Sequence, residues 1–402
     1  MQFKDIVGQE EAKKRLVQSV KDGRISHAQL FLGKGVNGKF ALAVAYAQYI
    51  NCTQKTENDS CGHCPSCIKY QAMSHPDLFF SFPVNKKSSK SANSLSEEPN
   101  KDRSSGVSKT VSAKDLISTM FYKDWLSYLN EKKYYPELQS WYQKIDIENK
   151  QGIINVEEAR RIIQDISYKP VEAAFKFLIM WQPEKMNINA ANVLLKFFEE
   201  PPENTIILLV ANEKDQLLKT IQSRFQIINI PKIADKDLEV FLKNKYPDLS
   251  DVELKEAVVL ANGDLQKAIS YMGESEQMKE HFRLFQSWMR LCVNKGSLEG
   301  IKDFVEKISR IGREQQKHFL NYSLRIFRQS LLVNYGHPSI TRLTPYESEW
   351  LEKFAPFVHI NNSLSMVEKF ENAILEIGRN ASPAILFMKL SLDVSVLLKI
   401  AK

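Results

Sequence analysis

The sequence predicts an α/β domain built on a parallel sheet, followed by a small helical domain and an all-helical C-terminal domain. Three observations carry this. Two continuous apolar runs of strand length, Phe175–Trp181 and Thr205–Val210, flank a helical stretch over Asn189–Glu200, the pattern of central strands whose two faces are both covered by helices. A glycine-rich loop, Gly33–Lys39, joins a short apolar run to a helix. Beyond Pro231 the chain is almost wholly helical in spacing, with Leu320, Leu324, Phe327 and Leu331 on one stripe and Leu386, Leu390, Val394 and Leu397 on another.

Taken in order, residues 8–22 read as a helix, and Asp22 and Gly23 make a turn before the apolar run Ala28–Leu32. The helix beginning near Gly38 carries Leu42, Ala45, Tyr46 and Tyr49 at helical spacing. A second strand is expected over Asp77–Pro83. Residues 85–112 change character, with nine serines and six Lys or Arg, and read as a flexible insertion. As a solvated linker the segment needs no partner; as a basic one it would touch a nucleic-acid backbone, and Glu97, Glu98 and Asp102 favour the first reading. The aromatic stretch that follows, Phe121–Trp141, predicts short packed helices without saying on what. Asn155 caps an amphipathic helix to Ser167 whose first turn is acidic, as the helix dipole favours. Pro201 and Pro202 stop the helix before the last apolar run.

At 402 residues and 43% hydrophobic content the chain has room for two or three ordinary cores. No apolar run reaches the length of a membrane span and the start lacks a signal-peptide pattern, so the cytoplasm is expected and a membrane is not. A net charge of +7 permits a surface facing DNA without demonstrating one. No residue pattern carries polymerase chemistry.

Two constellations carry chemistry. Gly33-Lys34-Gly35-Val36-Asn37-Gly38-Lys39 fits the first seven positions of a phosphate-binding P-loop, where backbone N–H groups and a lysine hold phosphates. Gly33, Gly35, Gly38 and Lys39 are the candidate nucleotide-binding residues, against the plainer reading of a glycine turn. Position 40 is Phe where the motif needs a hydroxyl to ligate Mg²⁺, so ATP binding stays open and ATP hydrolysis is not expected. Cys52, Cys61, Cys64 and Cys67 have the spacing C-x8-C-x2-C-x2-C, four thiolates able to close a tetrahedral structural Zn²⁺ site; clustered free thiols are the alternative. His63 is expected in solvent and Cys292 as a small buried residue.

Further residues resemble a known family. Asp5-Ile6-Val7-Gly8-Gln9, His27-Ala28-Gln29-Leu30-Phe31-Leu32-Gly33 with the P-loop, Asn192-Val193-Leu194-Leu195-Lys196-Phe197-Phe198-Glu199-Glu200-Pro201-Pro202 and Ser223-Arg224-Phe225 are similar to motifs of the bacterial DNA polymerase III clamp-loader family, a branch of the AAA+ ATPases. The resemblance covers residues 1 to about 270 apart from the insertion. It implies an AAA+ domain over 1–230, with a zinc knuckle at 52–67 and an insertion at about 85–150, a helical lid over 231–274, and a helical collar over 275–402. It also places the family's acidic magnesium pair at Trp181 and Gln182, and a basic residue of its Gly-x-Leu-Arg context at Gln266, within Gly263-Asp264-Leu265-Gln266.

Phe40, Trp181 with Gln182, and Gln266 are three losses at one site, and together they resemble the delta-prime branch, which does not hydrolyse ATP. Arg224 matches the family's arginine that reaches in trans into a neighbour's ATP site; the plainer reading is a surface arginine, and Phe225 departs from the family's Cys. The partners so implied are gamma or tau and delta subunits in a heteropentamer, and through it the sliding clamp and primer-template DNA. Two other readings stay open: an active gamma- or tau-like ATPase, and a zinc-containing DNA-binding or repair protein on a degenerate AAA+ scaffold.

Overall fold

The computed structural model describes residues 1–86, 116–147, 150–293, 298–336, 340–379 and 381–400. The serine-rich segment expected to be flexible lies almost wholly outside the described residues. Two compact units form: Met1–Lys245 together with Gly263–Gln266, and Tyr246–Asn262 together with Lys267–Lys402.

The first unit is an α/β fold on a five-stranded sheet of order β2-β3-β4-β1-β5, whose paired neighbours are all parallel. The strands are β1 (Ala28–Leu32), β2 (Leu78–Ser81), β3 (Lys176–Trp181), β4 (Thr205–Ala211) and β5 (Gln226–Asn229). Every residue of β3 and β4 is buried, which is why both are wholly apolar beyond their first residues, Lys176 and Thr205. β5 escapes sequence reasoning: it is a four-residue edge strand with both ends exposed and shows no continuous apolar run. At the opposite edge the Phe80 carbonyl of β2 accepts from Ser118 Oγ at 3.4 Å and Arg161 at 3.3 Å, so that edge is covered.

Helices α1 (Glu10–Lys21), α2 (Lys39–Asn51), α3 (Pro65–Gln71), α4 (Tyr122–Glu131), α5 (Leu138–Lys144), α6 (Val156–Ile166), α7 (Ile188–Glu199), α8 (Lys219–Gln222) and α9 (Asp235–Lys245) complete the unit. Asn155 caps α6, its side chain accepting from the Glu158 N–H at 2.8 Å. α2 is buried along its whole length, which explains why its sequence is apolar on every face. The aromatic stretch folds as α4 and α5, and what it packs on is the P-loop helix and the sheet ends. Trp125 and Trp141 are fully buried; Trp125 stacks on Phe82 at 4.3 Å, and Trp141 Nε1 donates to the Pro83 carbonyl at 2.9 Å.

The second unit is helical: α10 (Asp251–Ala261), α11 (Leu265–Val293) beyond its first two residues, α12 (Leu298–Ser309), α13 (Arg313–Tyr335), α14 (Pro345–Phe354), α15 (Ile360–Gly378) and α16 (Pro383–Leu397). Its core centres on Trp288, which stacks on Phe304 at 5.2 Å and donates to Ser391 Oγ at 2.8 Å. Leu320, Phe327, Leu386, Leu390 and Val394 are buried here, as their periodicity requires. Cys292 is buried among them, its thiol 3.6 Å from the Ser391 carbonyl.

Candidate functional site

In a parallel sheet of this kind ligands sit beyond the carboxyl ends of the strands, and three strands deliver their ends to the same place. The loop Gly33–Gly38 leaves β1, Gln182 follows β3, and Asn212 follows β4. Gly35 and Gly38 hold φ of 72° and 90°, left-handed values that favour glycine. Gly33 is needed for space: a Cβ there would lie 2.3 Å from the Ile230 carbonyl oxygen. Asn37 ties the loop down by donating to the Ile230 carbonyl at 2.8 Å, and Gln9 Nε2 bridges the Asn37 and Pro231 carbonyls at 3.0 and 2.8 Å.

Lys39 opens α2 and is only 5% exposed. Its ammonium donates to the Gly35 carbonyl. Burial pushes it down to about 8, opposed by the negative charges of Glu184 and Asp264. Glu184, just past β3, accepts from the Asn212 N–H at 2.9 Å; burial pushes its carboxyl up, against the Asn212 amide and the Lys39 charge. The sequence-predicted loop residues are thus brought together, and three further residues join them that sequence reasoning passed over: Glu184, Asp264 and Tyr135.

The positions expected to lack magnesium ligands are filled by rings. Phe40 and Trp181 are each 2% exposed. Phe40 meets Trp125 edge-on at 5.7 Å and Trp181 lies 5.2 Å from the same indole, while Phe80 sits 6.1 Å from Phe40. Gln182 is buried and in the left-handed region at φ 59°; its side-chain oxygen accepts from Asn212 at 3.4 Å. Gln266 donates to the Tyr135 carbonyl at 3.1 Å.

Arg224 lies elsewhere, after α8. Its guanidinium donates to Glu199, with Nε at 2.6 Å, and to the Thr220 carbonyl. The pair is partly open, at 27% and 44% side-chain exposure. Phe225 is buried and meets Phe198 edge-on at 5.1 Å, so the residue that departs from the family pattern anchors the arginine's segment.

The four cysteine sulfurs lie within 4.8 Å of one another. Cys52 and Cys64 are 4.0 Å apart, Cys61 and Cys67 3.9 Å, against about 3.8 Å for the edge of a tetrahedron with Zn–S near 2.3 Å. These separations are far from a disulfide. Backbone N–H groups point at the sulfurs as thiolates require: Cys61 N–H to Cys52 Sγ at 3.3 Å, Cys64 N–H to Cys61 Sγ at 3.3 Å, and Cys67 N–H to Cys64 Sγ at 3.4 Å. The donor set fits a closed four-coordinate metal ion. Cys52 caps α2 and Cys64 caps α3, with Pro65 in the first turn. His63 is exposed and turned to Gln54, 3.0 Å away.

A glycine-rich loop between β1 and α2, at the carboxyl ends of a parallel sheet, defines a P-loop type of α/β protein, and the sequence comparisons place the chain within one family. The family described as "DNA polymerase III, delta subunit" matches residues 8–234. The chain belongs to that family, as its resemblance to clamp-loader subunits implied. Among curated relatives, the DNA polymerase III subunit delta' of Bacillus subtilis is 24% identical over 337 residues, covering 82% of this chain and 79% of that one. The delta' subunit of Pseudomonas aeruginosa is 26% identical over 245 residues, covering 60% and 55%. The tau subunit of B. subtilis is 24% identical over 278 residues, covering 68% and 37%. The chain spans 27% to 57% of the length of the tau and gamma relatives. Among the described residues no helix is long and apolar enough to cross a membrane.

Proposed function

We propose that this chain is a delta-prime-type subunit of a clamp loader: a cytoplasmic, non-hydrolysing member of a heteropentamer that opens the sliding clamp and places it on primer-template DNA. The observation that carries this reading is the joint burial of Phe40 and Trp181 against Trp125. Phosphoryl transfer needs a metal held by oxygen ligands and an oriented nucleophile; aromatic rings supply neither, and removing them would open a core.

What such a chain contributes is position and charge. Residues 275–402 form the collar portion, residues 231–274 the lid, and gamma or tau and delta subunits are the neighbours. Arg224 enters a neighbour's ATP site, where a fixed guanidinium stabilises charge on the transferring phosphoryl group. Its pairing with Glu199 favours this role, because a partly exposed ion pair is worth only about 0.2–1 kcal/mol and gives up its arginine to phosphate at little cost. Cys52, Cys61, Cys64 and Cys67 hold a structural Zn²⁺ that fixes the join between α2 and α3.

The test is reconstitution with gamma or tau, delta, clamp and primed DNA. Arg224→Ala is expected to lower DNA-stimulated ATP hydrolysis by the complex, and Arg224→Lys to restore it only in part because the planar fork is lost. Unchanged hydrolysis in the assembled Arg224→Ala complex would refute the trans role. Steady ATP turnover by the isolated chain would favour an active ATPase instead.

A further inference from the structure

The loop that the sequence offers to phosphate already holds an anion, and the anion is part of the chain. The Val36 N–H donates to Asp264 Oδ2 at 3.0 Å, and that oxygen lies so close over the loop that a Cβ on Gly35 would meet it at 2.6 Å. The backbone around Asp264 is fixed on both sides. The Leu265 N–H donates to the Val36 carbonyl at 2.9 Å, and the Ile233 N–H to the Gly263 carbonyl at 3.2 Å. Lys39, the cation that a nucleotide would use, is turned back onto the Gly35 carbonyl.

A second element closes the loop from the side of the insertion. Lys133 and Tyr134 hold φ of 47° and 66°, left-handed conformations that are strained outside glycine and persist only where surrounding contacts impose them. Here the Tyr134 N–H donates to the Leu129 carbonyl at 2.9 Å and the Tyr135 N–H to the Lys132 carbonyl at 3.0 Å. The Tyr135 hydroxyl accepts from the Val7 N–H at 2.9 Å, and its carbonyl accepts from Gln266. The turn sets the Tyr135 ring 3.4 Å from where a Gly38 Cβ would stand. The cavity left among Gly38, Lys39, Tyr135 and Trp181 is about 10 Å³, room for one water, whereas small-molecule sites run to about 300 Å³ and more.

We propose that Asp264 and Tyr135 are a built-in plug: the Asp264 carboxylate stands in for a nucleotide phosphate on the loop, and the Tyr135 turn fills the space beside it. The chain therefore keeps this site closed to ATP whether or not ATP is present. This goes beyond the reading above, which requires only that nothing be hydrolysed.

Binding of a fluorescent ATP derivative and of tripolyphosphate to the full chain, with and without Mg²⁺, tests it. The native chain is expected to show no saturable binding at millimolar ligand. Asp264→Ala with Tyr135→Ala is expected to bind at least about tenfold more tightly than native, the scale set by removing one nearby like charge, and adding Lys39→Ala removes the gain. Asp264→Asn keeps the side-chain size, removes the charge and gives part of the gain; it decides alone if the double variant does not fold. Saturable ATP binding by the native chain, or folded variants with no gain, overturns the plug. Either result leaves the ATPase of the reconstituted complex, which tests Arg224, to be read independently.

Discussion

Restoring the missing hydroxyl should damage this protein and not activate it. Consider Phe40→Ser, which writes the magnesium ligand back into the P-loop. The Phe40 side chain is buried against Phe80 and Trp125, and truncating a buried aromatic costs about 3–5 kcal/mol. A serine hydroxyl left in that aromatic environment without a partner adds about 1–3 kcal/mol. Partial collapse of the neighbours recovers some of this, so a loss of about 4–6 kcal/mol is expected, most of the stability of an ordinary domain at about 5–15 kcal/mol. Urea unfolding followed by tryptophan fluorescence measures it, since Trp125, Trp141 and Trp181 report on the first unit and Trp288 and Trp350 on the second. With a slope of about 2–3 kcal/mol per molar urea, the first transition should move down by roughly 2 M while the second stays. A shift below about 0.3 M, or ATP hydrolysis gained by the variant, would show that position 40 faces a latent metal site and that the aromatic-core argument is mistaken.

Three further outcomes are expected. Purified chain should carry close to one zinc, and Cys64→Ala or a strong chelator should remove it and destabilise the first unit by several kcal/mol, because structural zinc binding is folding free energy; metal analysis finding none with all four thiols reduced would rule the site out. The Lys39 ammonium, held down to about 8 from 10.5 mainly by burial, binds fewer protons folded than unfolded in that window, so this group favours folding progressively as pH rises from 8 to 10.5. Native chain should therefore gain roughly 3 kcal/mol over Lys39→Met across it, and parallel stability curves would refute this. In the second unit Glu347 is fully buried, accepts from Tyr322 at 2.7 Å and pairs with the partly buried Arg325; Glu347→Gln should cost about 1–3 kcal/mol by removing the counter-charge of Arg325, read from the second unfolding transition.

What could be read from the sequence was whatever produced a local pattern. β3 and β4 show themselves because strands buried on both faces are apolar at nearly every position, and α6 because its Asn155 cap and acidic first turn are adjacent in the chain. The four cysteines are legible because their spacing is one that lets four sulfurs converge, as they do within 4.8 Å of one another. β5 is not, since an edge strand half in solvent needs no apolar continuity. The plug was hidden for a different reason: Val36 and Asp264 are 228 residues apart, and no local rule joins them. A signal did exist, because Asp264 stands inside the segment singled out for its missing arginine, and an acidic residue directed at a P-loop competes with phosphate. Likewise the aromatic stretch showed that something was to be packed, but only the fold identifies Phe40 and Trp181 as its targets.

That identification changes how the missing residues should be counted. Three separate losses at a nucleotide site would each be reversible by one substitution. Here Phe40 and Trp181 share Trp125 as a partner, and residues that share a partner do not contribute additively. Returning either one alone to a metal ligand leaves the others' rings facing a polar group, so every single step back is costly and none regains chemistry while Asp264 still occupies the loop. Arg224 is outside this coupling. Its guanidinium bonds only to Glu199 and Thr220 among the described contacts, so nothing in the rebuilt core constrains it, and nothing in the core requires it. A fold in which the nucleotide pocket is packed with aromatic rings while the partly exposed Arg224 stays loosely paired suits the proposed lending of charge to another subunit, and the double-mutant cycle of Phe40→Ala and Trp181→Ala against Arg224→Ala should accordingly show coupling within the first pair and none to the third.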